Sequence, residues 1–232
     1  MLRGPQNLPE RVREVQERVA RAAARAGRSA QSVTLLAVTK AQPPEAVRAA
    51  ADCGLTHFGE SYLQEALKKL AALRDRALTW HFVGRIQANK TRPIAEEFAW
   101  VHGVDRLRIA MRLSEQRPHH APPLNVCLQV RLGDEPGKGG LAVDELAGLA
   151  RVVANLPRLK LRGLMGIPPE ESDSARQHAW FRELRRLYES LNVDGATLDT
   201  LSMGMSADFE AAIEEGATIV RVGTALFGPR PP

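Results

Sequence analysis

The chain has 232 residues, 44% hydrophobic and 25% charged, with thirty-two Lys and Arg against twenty-seven Asp and Glu for a net charge of +5 and a pI near 9.6. That length suits one large domain with a sizeable core, and no apolar run nears the roughly 18 residues that would cross a bilayer. Aromatic residues are only 5% and the arginines interleave with acids, as in Glu10-Arg11-Val12-Arg13-Glu14, which marks solvated helix faces and argues against a nucleic-acid surface. The opening MLRGPQNLPERVREVQ has no apolar signal core, so a cytoplasmic location is expected. Cys53 and Cys127 stand far apart and match no metal-ligand spacing, which makes them packing residues.

A first helix opens at Asn7, with Glu10 at capping-box spacing and Pro9 in the first turn. Leu8, Val12, Val15, Val19 and Ala22 share its apolar face, Gly27 ends it, and it is expected to cover one end of the fold. Residues 33–40, VTLLAVTK, then run apolar and β-branched and stop at a lysine, the pattern of a strand buried on both faces of a parallel sheet. Parallel α/β folds place their chemistry at the carboxyl ends of such strands. Only six of the thirty-two basic residues are Lys, so this chain writes Arg wherever charge alone is wanted. A lysine kept at a strand end points to what a guanidinium does not do, which is to shed a proton and attack a carbonyl carbon. A lysine stem reaching to solvent is the competing reading.

A helix from Pro43-Pro44-Glu45 to Gly54 follows, then a short strand over 55–58 leading into Gly59-Glu60-Ser61-Tyr62, with Glu60 read as a first-turn helix glutamate. The next helix carries Leu63, Ala66, Leu67 and Leu70. Residues 80–83 form a third strand, followed by a polar turn over 85–90, and residues 100–102 a fourth, with Asp105 capping a helix through Leu107, Ala110 and Leu113. After a Pro- and His-containing loop come a strand over 125–132, a glycine-rich loop over 133–140 that includes Lys138, a helix over 143–154 and a strand over 161–167. A long helix over 172–190, a strand over 198–203, a helix over 206–215 capped by Ser206, a strand over 218–222 and a short turn complete the chain. Eight strands, nearly all separated by helices, specify an α/β fold: a single (β/α)8 barrel of the TIM type over residues 1–232 with an extra N-terminal helix. His57 and His81 read as core histidines, and His119-His120 as a solvated loop.

In such a barrel Lys40, Glu60, Gln87, Lys138 and the segments 203–206 and 221–224 converge on one face. In Ser202-Met203-Gly204-Met205-Ser206 a glycine lets the backbone approach a ligand, and Ser206 opens a helix whose amides favour an anion. Arg221-Val222-Gly223-Thr224 repeats the theme in the last loop, and barrels commonly bind phosphate after strands seven and eight. An amine beside a phosphate cradle is what pyridoxal 5′-phosphate requires.

The segments AVTK at 37–40, HFGES at 57–61, HFVGRIQANK at 81–90 and LSMGMSADFEAAIEEGATIVRVGTALFG at 201–228 closely resemble the pyridoxal phosphate homeostasis protein family. The resemblance covers essentially the whole chain. It implies a fold-type III barrel of the alanine racemase N-terminal type, with pyridoxal 5′-phosphate held as a covalent imine on Lys40. It further implies Arg221 at the pyridine nitrogen, Ser206, Gly223 and Thr224 on the phosphate, and Ser202 and Met203 in the pocket lining; no metal is implied. Ser61 departs from the Asn that relatives often carry there. The implied role is a carrier in intracellular pyridoxal phosphate homeostasis and delivery to apo-enzymes, without efficient catalysis; the alternative is a racemase or decarboxylase acting on amino acids. A guanidinium beside the ring nitrogen disfavours a proton there and weakens the ring as an electron sink. The chain also ends soon after the eighth strand, leaving no C-terminal β-domain such as alanine racemases append, from which a monomer is expected.

Overall fold

Eight short parallel strands close on themselves in chain order in the computed structural model, which describes residues 7–133, 139–193 and 198–229. They are β1 (Thr34–Val38), β2 (His57–Glu60), β3 (Thr79–Phe82), β4 (Trp100–Val104), β5 (Leu124–Val130), β6 (Leu159–Gly166), β7 (Thr200–Ser202) and β8 (Ile219–Val222). Closure is made by β8 against β1, with Thr34 opposite Ile219 and Ala37 opposite Val222. A closed parallel sheet has no free edge and is covered outside by the crossover helices, so its strands read as near-continuous apolar runs. At one point β6 and β7 approach too closely for any side chain: a Cβ on Gly163 would lie 1.8 Å from the Thr200 carbonyl oxygen, where β6 also shifts register against β5 after Val126.

The outer layer is α1 (Leu8–Arg25), α2 (Pro44–Asp52), α3 (Leu63–Ala72), α4 (Thr91–Glu97), α5 (Leu107–Gln116), α6 (Val143–Ala154), α7 (Ser174–Val193), α8 (Phe209–Glu214) and α9 (Thr224–Phe227). The capping box at Asn7 and Glu10 is formed, and α1 buries Val12, Val15, Val19, Ala22 and Ala23. It lies along α8 and against α2, in the helical layer at the β8–β1 seam, so it flanks the barrel and does not cover an end. Arg18–Glu210 and Arg25–Glu214, both 2.6 Å, and Arg28 donating to the Ile213 carbonyl at 3.0 Å fix its alignment. Each valine contributes about 1.5 kcal/mol or more by burial, against at most about 1 kcal/mol for a solvated ion pair. The apolar face therefore holds α1, and the charges select its register.

Three local expectations fail for identifiable reasons. Helix α4 is absent from the sequence reading because its inward face is Thr91, Ile94 and Ala95, with too short an apolar stripe to show a 3.6-residue period. Asp105 does not cap α5: Arg106 occupies that position without a side-chain cap bond, and Asp105 pairs with its guanidinium at 3.4 Å. Ser206 does not cap α8, because the Asp208 carboxylate accepts from the Met205 amide at 2.6 Å and winds a turn that delays the helix to Phe209. Lys138 lies outside the described residues. Among the described residues no helix is long and apolar enough to cross a membrane. Cys53 and Cys127 are free thiols, and burial pushes the Cys127 thiol up to about 12, which keeps it protonated and inert.

Candidate functional site

Lys40 follows β1 after one intervening residue, Thr39, at the carboxyl end of the barrel, and lines a cavity of about 410 Å³ together with Val38, Ser61, Ser206, Arg221, Gly223 and Thr224. These residues come from β7, β8, β1 and β2 or the loops that follow them, four consecutive strands around the closed barrel. The volume falls in the range of small-molecule sites, roughly 300–1,000 Å³.

The backbone that presents Lys40 is held on both sides. Ala41 adopts φ +62°, a left-handed conformation that costs a residue with a Cβ on the order of 1 kcal/mol. Its amide donates to Glu65 Oε1 at 2.8 Å, which holds the turn. On the other side, the Thr39 carbonyl accepts from Lys69 Nζ at 2.6 Å. Lys69 is only 2% exposed, and its two remaining protons go to Glu60 Oε1 at 2.7 Å and Glu65 Oε1 at 2.5 Å. All three ammonium donors are thus used, one each toward the residue before Lys40, the end of β2 and the helix α3.

Glu60 is consequently not a first-turn helix glutamate. It is the last residue of β2, fully buried, and its Oε1 also accepts from the Thr39 hydroxyl. Its Oε2 has no partner. Burial raises the Glu60 carboxyl, while hydrogen bonds from Lys69 and Thr39 pull it back down. Sequence spacing had placed only apolar residues on the inner face of α3; Lys69 lies on that face beside Ala66 and Leu70.

Arg221, the third residue of β8, is 5% exposed. Its Nη1 donates to the Ser202 carbonyl at 2.7 Å and the Ser202 hydroxyl at 2.9 Å, and its Nη2 to the Gly166 carbonyl at 3.0 Å. Burial lowers the guanidinium to about 10, so it stays charged at neutral pH. Ser202 and Met203 are fully buried; neither is among the cavity-lining residues, and Ser202 stands behind Arg221 as its acceptor.

At the start of α9, the Ser206 hydroxyl accepts from the Gly223 and Ala225 amides, both at 3.2 Å. The two amides thus meet at the Ser206 oxygen beside Thr224, a cluster of backbone amides and hydroxyls of the kind that suits a phosphate. The turn before it depends on Gly204, whose φ is +89° and where a Cβ would lie 2.5 Å from the Ala212 Cβ. Cavity size, amine, buried cation and convergent donors together fit a phosphorylated aromatic aldehyde.

The alanine racemase N-terminal domain matches residues 12–231 of this chain. The pyridoxal phosphate homeostasis protein of Pseudomonas aeruginosa is 58% identical over 223 residues, 96% of either chain. That of Escherichia coli is 46% identical over 227 residues, 97% of either chain. Among solved structures, PipY of Synechococcus elongatus with PLP bound superposes with a TM-score of 0.84 at 36% identity, covering 96% of this chain and 100% of that one. Alanine racemase of Corynebacterium glutamicum shares the fold at 18% identity and a TM-score of 0.67, over 94% of this chain and 61% of that one.

Proposed function

The chain belongs to the pyridoxal phosphate homeostasis proteins, built on the alanine racemase N-terminal domain, and from that premise we propose that it binds pyridoxal 5′-phosphate and governs its intracellular supply to apo-enzymes without efficient catalysis. The observation that carries this reading is the cavity that Lys40, Arg221, Ser206, Gly223 and Thr224 line together. When bound, the cofactor supplies an aldehyde that bonds reversibly to amines and a ring that draws electrons. Lys40 tethers it through Nζ, held in place by the clamped turn from Thr39 to Ala41. Ser206, Gly223 and Thr224 would hold the phosphate, which would take over the Gly223 and Ala225 amides from the Ser206 oxygen. Arg221 is the partner assigned to the ring nitrogen, and its charge at neutral pH keeps a proton off that atom. Arg221 so placed would leave the ring a weak electron sink, which favours holding and release over turnover.

Borohydride should fix the cofactor to the peptide containing Lys40, and Lys40→Ala should retain none. Loaded protein should deliver cofactor to an apo-enzyme in the presence of a trap for the free aldehyde. Exchange of amino-acid α-protons at about one per second or faster would overturn the carrier reading in favour of a racemase or decarboxylase.

A further inference from the structure

Three histidines occupy the inward face of adjacent strands: His57 in β2, His81 in β3 and His102 in β4. His57 lies opposite Thr79 and His81 opposite Trp100, so each histidine sits two residues beyond the position facing the one before it. A step of two keeps a side chain on the same face, and the rings climb the barrel diagonally toward its carboxyl end. Hydrogen bonds follow that climb: His57 Nδ1 to His81 Nε2 at 2.9 Å, His81 Nδ1 to His102 Nε2 at 2.9 Å, and His102 Nδ1 to Ser202 Oγ at 2.8 Å. Ser202 Oγ in turn accepts from Arg221 Nη1 at 2.9 Å. His81 and His102 are fully buried, His57 is half-buried, and the His81 ring stacks on Trp100 with centroids 5.3 Å apart.

Burial keeps both inner rings neutral: it lowers His81 well below the usual histidine range, and His102 to about 3 with Arg221 contributing. A neutral imidazole carries one proton, so each ring donates at one nitrogen and accepts at the other. The series therefore has two arrangements, all Nε2–H or all Nδ1–H, and Ser202 decides between them. Its oxygen already accepts from Arg221. If His102 accepts at Nδ1, the hydroxyl hydrogen is used as well and every proton in the series has a partner. If His102 donates instead, the hydroxyl hydrogen is left beside a buried cation, which costs about 1–3 kcal/mol for an unmet donor. With Nδ1 accepting, His102 Nε2–H needs a buried acceptor, which His81 supplies; His81 passes the same need to His57, which alone of the three reaches solvent.

We propose that His102, backed by His81 and His57, is a positioning residue for Arg221: a one-directional hydrogen-bond series that keeps the Ser202 oxygen turned to the guanidinium as an acceptor and so fixes the cation in the cavity wall. Its second readout below rests on the pyridoxal phosphate reading; its first does not. Long-range proton–nitrogen NMR of the cofactor-free chain with labelled imidazoles should find His81 and His102 neutral and protonated at Nε2 at neutral pH. A charged ring or an Nδ1–H at His102 overturns the proposal, whatever the cavity binds. In the second readout, His102→Asn places an amide oxygen where Nδ1 accepts the Ser202 hydroxyl, His102→Gln reaches only the Nε2 position, and His102→Leu reaches neither. The Asn variant should bind pyridoxal 5′-phosphate within about threefold of the parent, and the Gln and Leu variants about tenfold or more weakly, the loss of one buried hydrogen bond. An Asn variant no better than Gln or Leu overturns the proposal. Absence of binding by the parent protein itself would refute the assigned function, and the NMR result would still decide the hydrogen-bond series.

Discussion

Replacing Lys69 by Met removes a buried ammonium and retains most of its volume. The structure sets the scale of the loss. Lys69 is 2% exposed and donates three hydrogen bonds, one of them to a carboxylate that is itself fully buried. Breaking a buried ion pair by deleting one partner costs about 3–5 kcal/mol, because the remaining charge is left uncompensated. Glu65, whose side chain is 30% exposed, recovers solvation from water, so the penalty concentrates on Glu60. With the cation gone, burial dominates and holds the Glu60 carboxyl above its unfolded value. A group whose folded pKa is raised binds a proton more readily in the native state, so its contribution is most favourable at low pH and is lost as pH rises. Urea unfolding of Lys69→Met should therefore show a deficit of about 3 kcal/mol or more at pH 8 that shrinks toward pH 5. A deficit under about 1 kcal/mol, or one equal at both pH values, would refute the assignment of Lys69 and Glu60 as a buried brace beneath Lys40.

The buried histidines predict acid lability of the parent protein. With His102 near 3 when folded and about 6.5 when unfolded, the unfolded state takes up the proton first, so stability is lost as pH falls below 6.5. By pH 5 the loss from His102 alone is about 2 kcal/mol, His81 adds in the same direction, and urea midpoints that do not move between pH 7.5 and 5 would contradict neutral burial. Gly204→Ala forces a Cβ to 2.5 Å from Ala212 at a backbone angle suited to glycine. It should lower stability by about 1–3 kcal/mol and weaken cofactor binding with it; an unchanged melting temperature with full binding would show that the turn before Ser206 tolerates rearrangement.

How much of this molecule can be read from its residues depends on the range of the interaction concerned. The strands are legible because a closed parallel sheet demands unbroken β-branched and apolar runs, and all eight occur within a few residues of the segments that such runs mark. Lys40 is legible because an apolar run that stops at lysine, in a chain that otherwise writes arginine, is a local departure from a local habit, although the strand itself ends two residues earlier at Val38. The same reasoning applied to Lys69 finds the brace: a lysine between Ala66 and Leu70, on an apolar helix face, in a chain with only six lysines, is as anomalous as Lys40. What conceals it is that its partners, Thr39 and Glu60, lie on other elements, so nothing nearby in sequence except Glu65 explains its burial. The histidines are harder still. His57 and His81 read as separate core histidines and His102 only as part of a strand, and the three become a connected series only through the two-residue stagger from strand to strand that barrel closure imposes. That stagger is a property of the closed sheet as a whole, so no single strand carries it. The residues that could touch a ligand were thus visible one loop at a time, whereas those that hold them in place required the assembled barrel. Ser202 stands at the boundary: its sequence position suggests a pocket residue, yet its hydroxyl is committed to joining the histidine series to Arg221.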